Sequence, residues 1–180
     1  GLAIVRELAQ LAGGVAGVRS RPGEGACFWI EVPAPAAARR PAAPRATAPD
    51  VGTALRVLVV EDHPTNRAVT AELVTDAGHV CDTAESGEAA FRALNETRFD
   101  LVLLDLHMPD MDGAQTLAHI RRGDAGPADL PVYMVTADAT PEARAKTLAL
   151  GANGFFVKPL DSAALRRVLS TAASSKRSAG

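Results

Sequence analysis

Four apolar runs in this 180-residue chain end in side chains able to handle a phosphoryl group or its counter-ions. VLVV leads into Glu61 and Asp62, LVLL into Asp105, PVYMV into Thr136, and GFFV into Lys158, which precedes Pro159. If these runs are parallel strands of one open sheet, their carboxyl ends share an edge. Ligands of such sheets bind outside that edge, where the strand order reverses. Two unit charges about 5 Å apart repel by roughly 3 kcal/mol at an effective dielectric of about 20, so three gathered carboxylates call for a cation. Oxygen ligands with room for water suit Mg²⁺, which takes one or two carboxylates and keeps several waters for phosphate chemistry. Lys158 offers a second positive charge. It is one of three lysines against sixteen arginines, and the strand fixes its place, whereas Lys146 and Lys176 fall on expected solvated faces. Its ammonium can reach a phosphoryl oxygen, and the Thr136 hydroxyl can donate to the same group.

Each residue has an ordinary reading as well. An Asp after a strand is commonly a turn or cap residue, a Thr in a strand reflects propensity, and a Lys at a strand end commonly snorkels. Their joint occurrence at successive strand ends favours a phosphoryl site. His63 and His107 read as exposed loop residues beside it, and His79 and His119 as residues flanking regular elements.

The elements that must position these groups are legible in the pattern. RVLVV (56–60), HVCDTA (79–84), FDLVLLD (99–105), PVYMVT (131–136) and GFFVK (154–158) read as strands, several of them apolar enough to be covered on both faces. Helical stretches alternate with them and a last one follows. Thr140-Pro141-Glu142 opens one helix with a cap, a proline and an acid, and Gly151 closes it. Asp161 caps another, whose Leu165, Val168, Leu169 and Ala172 form one apolar stripe. Right-handed crossovers then give an α/β fold, a doubly wound five-stranded parallel sheet with strand order 2-1-3-4-5.

Ahead of this segment, Ile4, Val5, Leu8, Leu11 and Ala12 keep helical spacing up to Gly13-Gly14, and VAGVRS and CFWIEV flank the turn RPGEGA. One helix and one hairpin cannot bury a self-sufficient core, so residues 1–33 read as incomplete. The chain opens on Gly1 rather than Met, as a piece of something longer would. Residues 34–54 are Ala/Pro-rich without apolar period and read as an extended linker. The organisation expected is therefore 1–33, linker 34–54, main domain 55–175 and tail 176–180.

Hydrophobic residues make up 47% and charged residues 22%, which excludes a disordered or collagenous chain. A net charge of -2 gives no general attraction to nucleic acid, and Lys176-Arg177 is too small a basic patch to supply one. Cys27 and Cys81 have no CxxC spacing and read as small buried hydrophobes in a reducing compartment. No apolar run reaches the roughly 20 residues of a membrane-spanning helix, and a cytoplasmic location is expected.

VLVVEDHPTNR, LVLLDLHMPDMDG, VTAD and GANGFFVKPL, in this order, resemble the signature stretches of bacterial response-regulator receiver domains. The resemblance covers about residues 55–175 and implies a flavodoxin-like receiver fold. It implies that Asp105 accepts a phosphoryl group from a phosphohistidine-bearing kinase or phosphotransfer domain. Glu61 and Asp62 would hold Mg²⁺, with Asp62, Asp105 and the backbone carbonyl of His107 as direct ligands. Thr136 would bind the phosphoryl oxygen, Lys158 would pair with it, Phe155 would be the switch aromatic, and Lys158-Pro159 a cis peptide. The fourth helix, fifth strand and fifth helix of this segment would form the readout face, available for dimerisation. Two other classes compete: an interaction module of receiver fold that is never phosphorylated, against which the full residue set argues, and an aspartyl-nucleophile phosphohydrolase. The latter wants a second acid two residues past the nucleophile, where His107 stands.

GLAIVRELAQLAGG followed by GVRSRPGEGACFWIEVP resembles the C-terminal end of a histidine-kinase ATP-binding domain, beginning inside its second glycine box. Its position before a linker and a receiver implies a hybrid sensor kinase as parent, one that could be membrane-anchored. The asparagine-bearing metal box, the first glycine box and a histidine followed by an acid do not occur, so ATP is not expected to bind this chain.

Overall fold

Alternate residues of a strand point to opposite faces, and the apolar runs of this chain are sorted accordingly into two cores. The computed structural model describes residues 2–23, 25–33 and 54–179. These fall into two compact units, one before the expected linker and one after it. The linker expected at 34–54 lies, apart from Ala54, outside the described residues.

In the first unit, helix α1 (Leu2–Leu11) precedes an antiparallel hairpin of β1 (Val15–Arg21) and β2 (Gly25–Glu31), with Val15 opposite Glu31 and Arg21 opposite Gly25. Trp29 lies across Gly17, where a Cβ would stand 2.4 Å from the indole, so only glycine admits this close approach. The unit buries very little: Ile4, Leu8, Leu11, Phe28 and Ile30 are all exposed, and Ala9 is its one buried apolar residue among those described. Cys27 is exposed rather than buried, because every residue of β2 is open on both faces of a two-stranded ribbon.

The second unit alternates β3 (Arg56–Val60), α2 (Pro64–Asp76), β4 (Val80–Ala84), α3 (Gly87–Glu96), β5 (Leu101–Asp105), α4 (Gly113–Arg122), β6 (Val132–Thr136), α5 (Pro141–Ala149), β7 (Gly154–Val157) and α6 (Ser162–Ala179). The strands form one parallel sheet in the order β4-β3-β5-β6-β7, the expected 2-1-3-4-5 arrangement. Leu58, Val60, Val102, Leu104, Val132 and Met134 face α3 and α4, where they meet Ala90, Leu94, Leu117 and Ile120. Val57, Val59, Leu101, Leu103 and Phe156 face the other way, against Val74 of α2 and Leu165 and Leu169 of α6. With both faces covered, the carboxyl edge is where the sheet stays open, and the order reverses between β3 and β5.

Helix ends follow the sequence signals. The Thr140 hydroxyl accepts from Ala143 N, and Asp161 Oδ1 accepts from Ala163 N and Ala164 N. β3 has the bounds expected of it, and the other four strands are a residue or two shorter than their expected ranges. The last helix passes the expected boundary at residue 175 and continues to Ala179. Lys176, expected on a solvated face, bonds Asp100 Oδ2 at 2.8 Å and fastens this last turn to the residue preceding β5.

Two backbone-level contacts are open to test. A Cβ on Gly113, at the start of α4, would lie 2.2 Å from the carbonyl oxygen of Asp105. Gly113→Ala is expected to cost about 1–3 kcal/mol in urea unfolding, and an unchanged midpoint would contradict that close packing. At the opposite edge, His79 Nδ1 accepts from Leu55 N at 3.2 Å, and burial lowers the pKa of its imidazole below 6.5. The unfolded chain then binds the proton more readily, so this contribution is complete above pH 6.5 and is lost as pH falls through the lower folded value. His79→Asn, which keeps an acceptor without titrating, should flatten the melting-temperature profile on the acid side of pH 6.5 relative to wild type. An identical slope in both proteins would rule out His79 as the source.

Candidate functional site

The turn after β3 and the end of β5 bring Glu61, Asp62 and Asp105 together at the switch point. One carboxylate oxygen from each lies within 4.8 Å of the others. Glu61 and Asp105 are buried, at 4% and 3% exposure, while Asp62 is half-buried and faces the opening. β7 delivers Lys158 to the same place. Its Nζ donates to Glu61 Oε2 at 2.7 Å and to Asp105 Oδ2 at 2.8 Å. The backbone N–H of His107 donates to the other Asp105 oxygen, Oδ1, at 3.2 Å. Thr136 is buried at the end of β6, and its Oγ1 accepts from Asp138 N at 3.1 Å. The peptide between Lys158 and Pro159 is cis.

Electrostatics follow from this geometry. Burial raises the pKa of Asp105 above its usual value, with Glu61 adding to the rise, and the bonds from Lys158 and His107 offset it only in part. For Lys158, burial pushes the ammonium down, but its bonds to Asp105 and Glu61 outweigh this and hold it above the usual lysine value. Three carboxylates and one ammonium leave a formal charge of -2, which a divalent cation cancels. All the side-chain donors are hard oxygens, and the Asp62 carboxylate receives no hydrogen bond among the described residues, so it is free to ligate. The set therefore fits Mg²⁺ rather than a thiolate- or imidazole-seeking metal.

Every site residue expected from sequence is thus placed at one edge except Phe155, which lies half-buried in β7 against the α3–α4 core, with the Arg144 guanidinium 5.2 Å from its ring centre. His63 and His107 are exposed loop residues, as read from the sequence. Two contributors carry no signal in the apolar pattern. Asn66 Nδ2 donates to Glu61 Oε1 at 3.2 Å, and Arg67 Nη1 donates to the carbonyls of Glu61 and Asp62 at 2.7 and 3.0 Å. Both sit on α2, whose polarity is spread around the helix, so no face marked them out; the stretch VLVVEDHPTNR contains them, but nothing in it assigns them a role.

A doubly wound parallel sheet of this order, with an acid cluster and a lysine at its switch point, defines an α/β domain of the flavodoxin-like class. Residues 57–170 match the response regulator receiver domain, and the chain belongs to that family. Sensor histidine kinase AruS of Pseudomonas aeruginosa is 39% identical over 170 residues, which take in 94% of this chain and 17% of AruS. Sensory/regulatory protein RpfC of Xanthomonas campestris pv. campestris is 30% identical over 204 residues, 98% of this chain and 28% of RpfC. The chain therefore spans well under a third of these curated relatives. Among solved structures, the receiver domain of the Pseudomonas aeruginosa sensor histidine kinase PA1611, with a magnesium ion coordinated in its active site cleft, superposes with a TM-score of 0.61. It is 29% identical, with 67% of this chain and 98% of that one covered.

A buried carboxyl whose folded pKa is raised opposes folding once it is ionised: stability falls as pH rises from 3.8 through the higher folded value. Asp105→Asn should therefore melt a few degrees higher than wild type in EDTA at pH 7, and added Mg²⁺ should raise the wild-type midpoint more than that of the variant. A lower midpoint for the variant in EDTA would show that the Asp105 charge is a net support of the fold.

Proposed function

We propose that this receiver takes a phosphoryl group from a phosphohistidine onto Asp105 and uses the resulting charge to change its surface. The observation that carries the reading is the Lys158 ammonium shared between Glu61 and Asp105 at 2.7 and 2.8 Å, beside the open Asp62 carboxylate. A carboxylate oxygen of Asp105 forms the new O–P bond as the P–N bond to the donor imidazole breaks, and the imidazole leaves with that electron pair. Positioning and charge neutralisation supply most of the rate in such transfers. Bound Mg²⁺ supplies positive charge to the transferred group, and Asp62, Asp105 and the backbone carbonyl of His107 would hold it, with Glu61 completing the acidic set. Lys158 exchanges its bond to Asp105 for one to a phosphoryl oxygen.

Thr136 carries the change outward. Its hydroxyl turns from Asp138 N toward the new anion, which frees space for the Phe155 ring and loosens the β6–α5 loop. The face made by α5, β7 and α6 is then the readout surface, and a dimer contact there is part of this reading. A hybrid histidine kinase is the proposed parent, and residues 1–33 are proposed to be the end of its ATP-binding domain. Two observations support this: the 170 residues aligned with AruS exceed the receiver match at 57–170, and the first unit leaves its apolar side chains uncovered.

Acetyl phosphate with Mg²⁺ should give one phosphoryl adduct by intact-mass measurement. It should disappear in EDTA and in Asp105→Asn, and form at least tenfold more slowly in Lys158→Ala, in line with about 1.4 kcal/mol or more of lost transition-state stabilisation. An adduct that persists in Asp105→Asn would move the acceptor elsewhere. Absence of any adduct in wild type would favour the interaction-module reading.

A further inference from the structure

The first turn of α2 reaches back over the loop that leads into it. Pro64 starts the helix, and Arg67, one turn in, directs its guanidinium at the loop backbone. One nitrogen, Nη1, donates to the carbonyl oxygens of both Glu61 and Asp62, at 2.7 and 3.0 Å, while Nη2 lies 4.0 Å from Glu85 Oε2. The Arg67 side chain is only 20% exposed, and its Nη1 is satisfied by the loop carbonyls. Glu61 is further fixed from three sides: its N–H donates to Ala84 O at 3.1 Å, Asn66 holds Oε1 and Lys158 holds Oε2. Asp62 has none of these supports. Its carboxylate receives no hydrogen bond among the described residues, and its place in the cluster depends on its backbone.

We infer that Arg67 is a positioning residue for the cation site: by clamping the two consecutive carbonyls, it aims the Asp62 carboxylate at Asp105. This rests on the reading of the acid cluster as the Mg²⁺ site. Arg67 bonds the loop carbonyls and not the carboxylates of the cluster. Its action is through the loop, in the way that groups behind the ligands of a metal site orient them and typically change affinity by about 10- to 100-fold when removed.

The sign of the effect separates positioning from charge. Arg67 is a cation close to an anionic site, so if its charge alone mattered, removing it would strengthen Mg²⁺ binding. If it positions Asp62, removing it weakens binding. The measurement is Mg²⁺ titration of the full chain, followed by calorimetry and by the amide shifts of Asp62 and Asp105, for wild type, Arg67→Gln and Arg67→Lys, with melting in EDTA as the control for folding. The expected result is a dissociation constant raised about tenfold or more in Arg67→Gln, with smaller Mg²⁺-induced amide shifts at Asp62. Equal or tighter binding by Arg67→Gln overturns the inference. Should Arg67→Gln fail to fold in EDTA, Arg67→Lys answers the same question: it keeps the charge but replaces the planar donor with a point charge, and an unchanged constant there overturns the inference equally. Absence of Mg²⁺ binding in wild type would instead remove the metal reading on which the inference rests.

Discussion

The structure depends on a single electrostatic constraint. Three carboxylates within 4.8 Å of one another at the end of a buried β-sheet repel by roughly 3 kcal/mol per pair at an effective dielectric of about 20, a repulsion that only positive charge among them can offset. Lys158 is the cation that the fold itself brings, bonded to Glu61 and Asp105 from the neighbouring end of β7. It leaves a residual charge of -2 and one carboxylate, Asp62, open. That incompleteness is the chemically useful part: the remaining charge is one that a divalent ion would cancel.

The scaffold serves this constraint at each level. Parallel strands covered on both faces put the charged side chains where apolar packing ends, and the reversal of order between β3 and β5 opens a crevice there. Gly113 lets α4 begin against the Asp105 carbonyl, and the His107 N–H in the loop between them turns back to Asp105 Oδ1. Asp112 and Gln115 close that loop with reciprocal cap bonds. The Asp105 carboxylate is thus held by Lys158 on one oxygen and by backbone on the other, which orients it before any partner arrives. Thr136 belongs to the same rim, where its Oγ1 accepts from Asp138 N and its hydroxyl proton is left to donate.

Much of this was legible in the sequence, and for identifiable reasons. Apolar runs of strand length ending in acids, a hydroxyl and a lysine gave the sheet, its order and the edge where those groups gather, because burial and chain direction leave few alternatives. Thr140 and Asp161 were readable as caps because a cap is a local signal. What was not legible depends on loop conformation or long-range pairing. Arg67 bonds carbonyls, which every residue has, and Asn66 lies on a helix whose polarity is spread around it, so neither stood out. The pairing of Lys176 with Asp100 joins elements 76 residues apart, and a solvated lysine looks the same in sequence. Cys27 is exposed because its strand has only one neighbour, and composition does not reveal that.

The central claim is that the acid cluster and Lys158 form one site for a cation and a phosphoryl group, and its most direct test is a crystal structure with Mg²⁺ and beryllofluoride. The account predicts the ion on Asp62, Asp105 and the His107 carbonyl, the fluoride adduct on Asp105, and Lys158 Nζ moved from Asp105 onto a fluorine. An adduct absent from Asp105, or an ion bound away from the three acids with Lys158 still on Asp105, would contradict it.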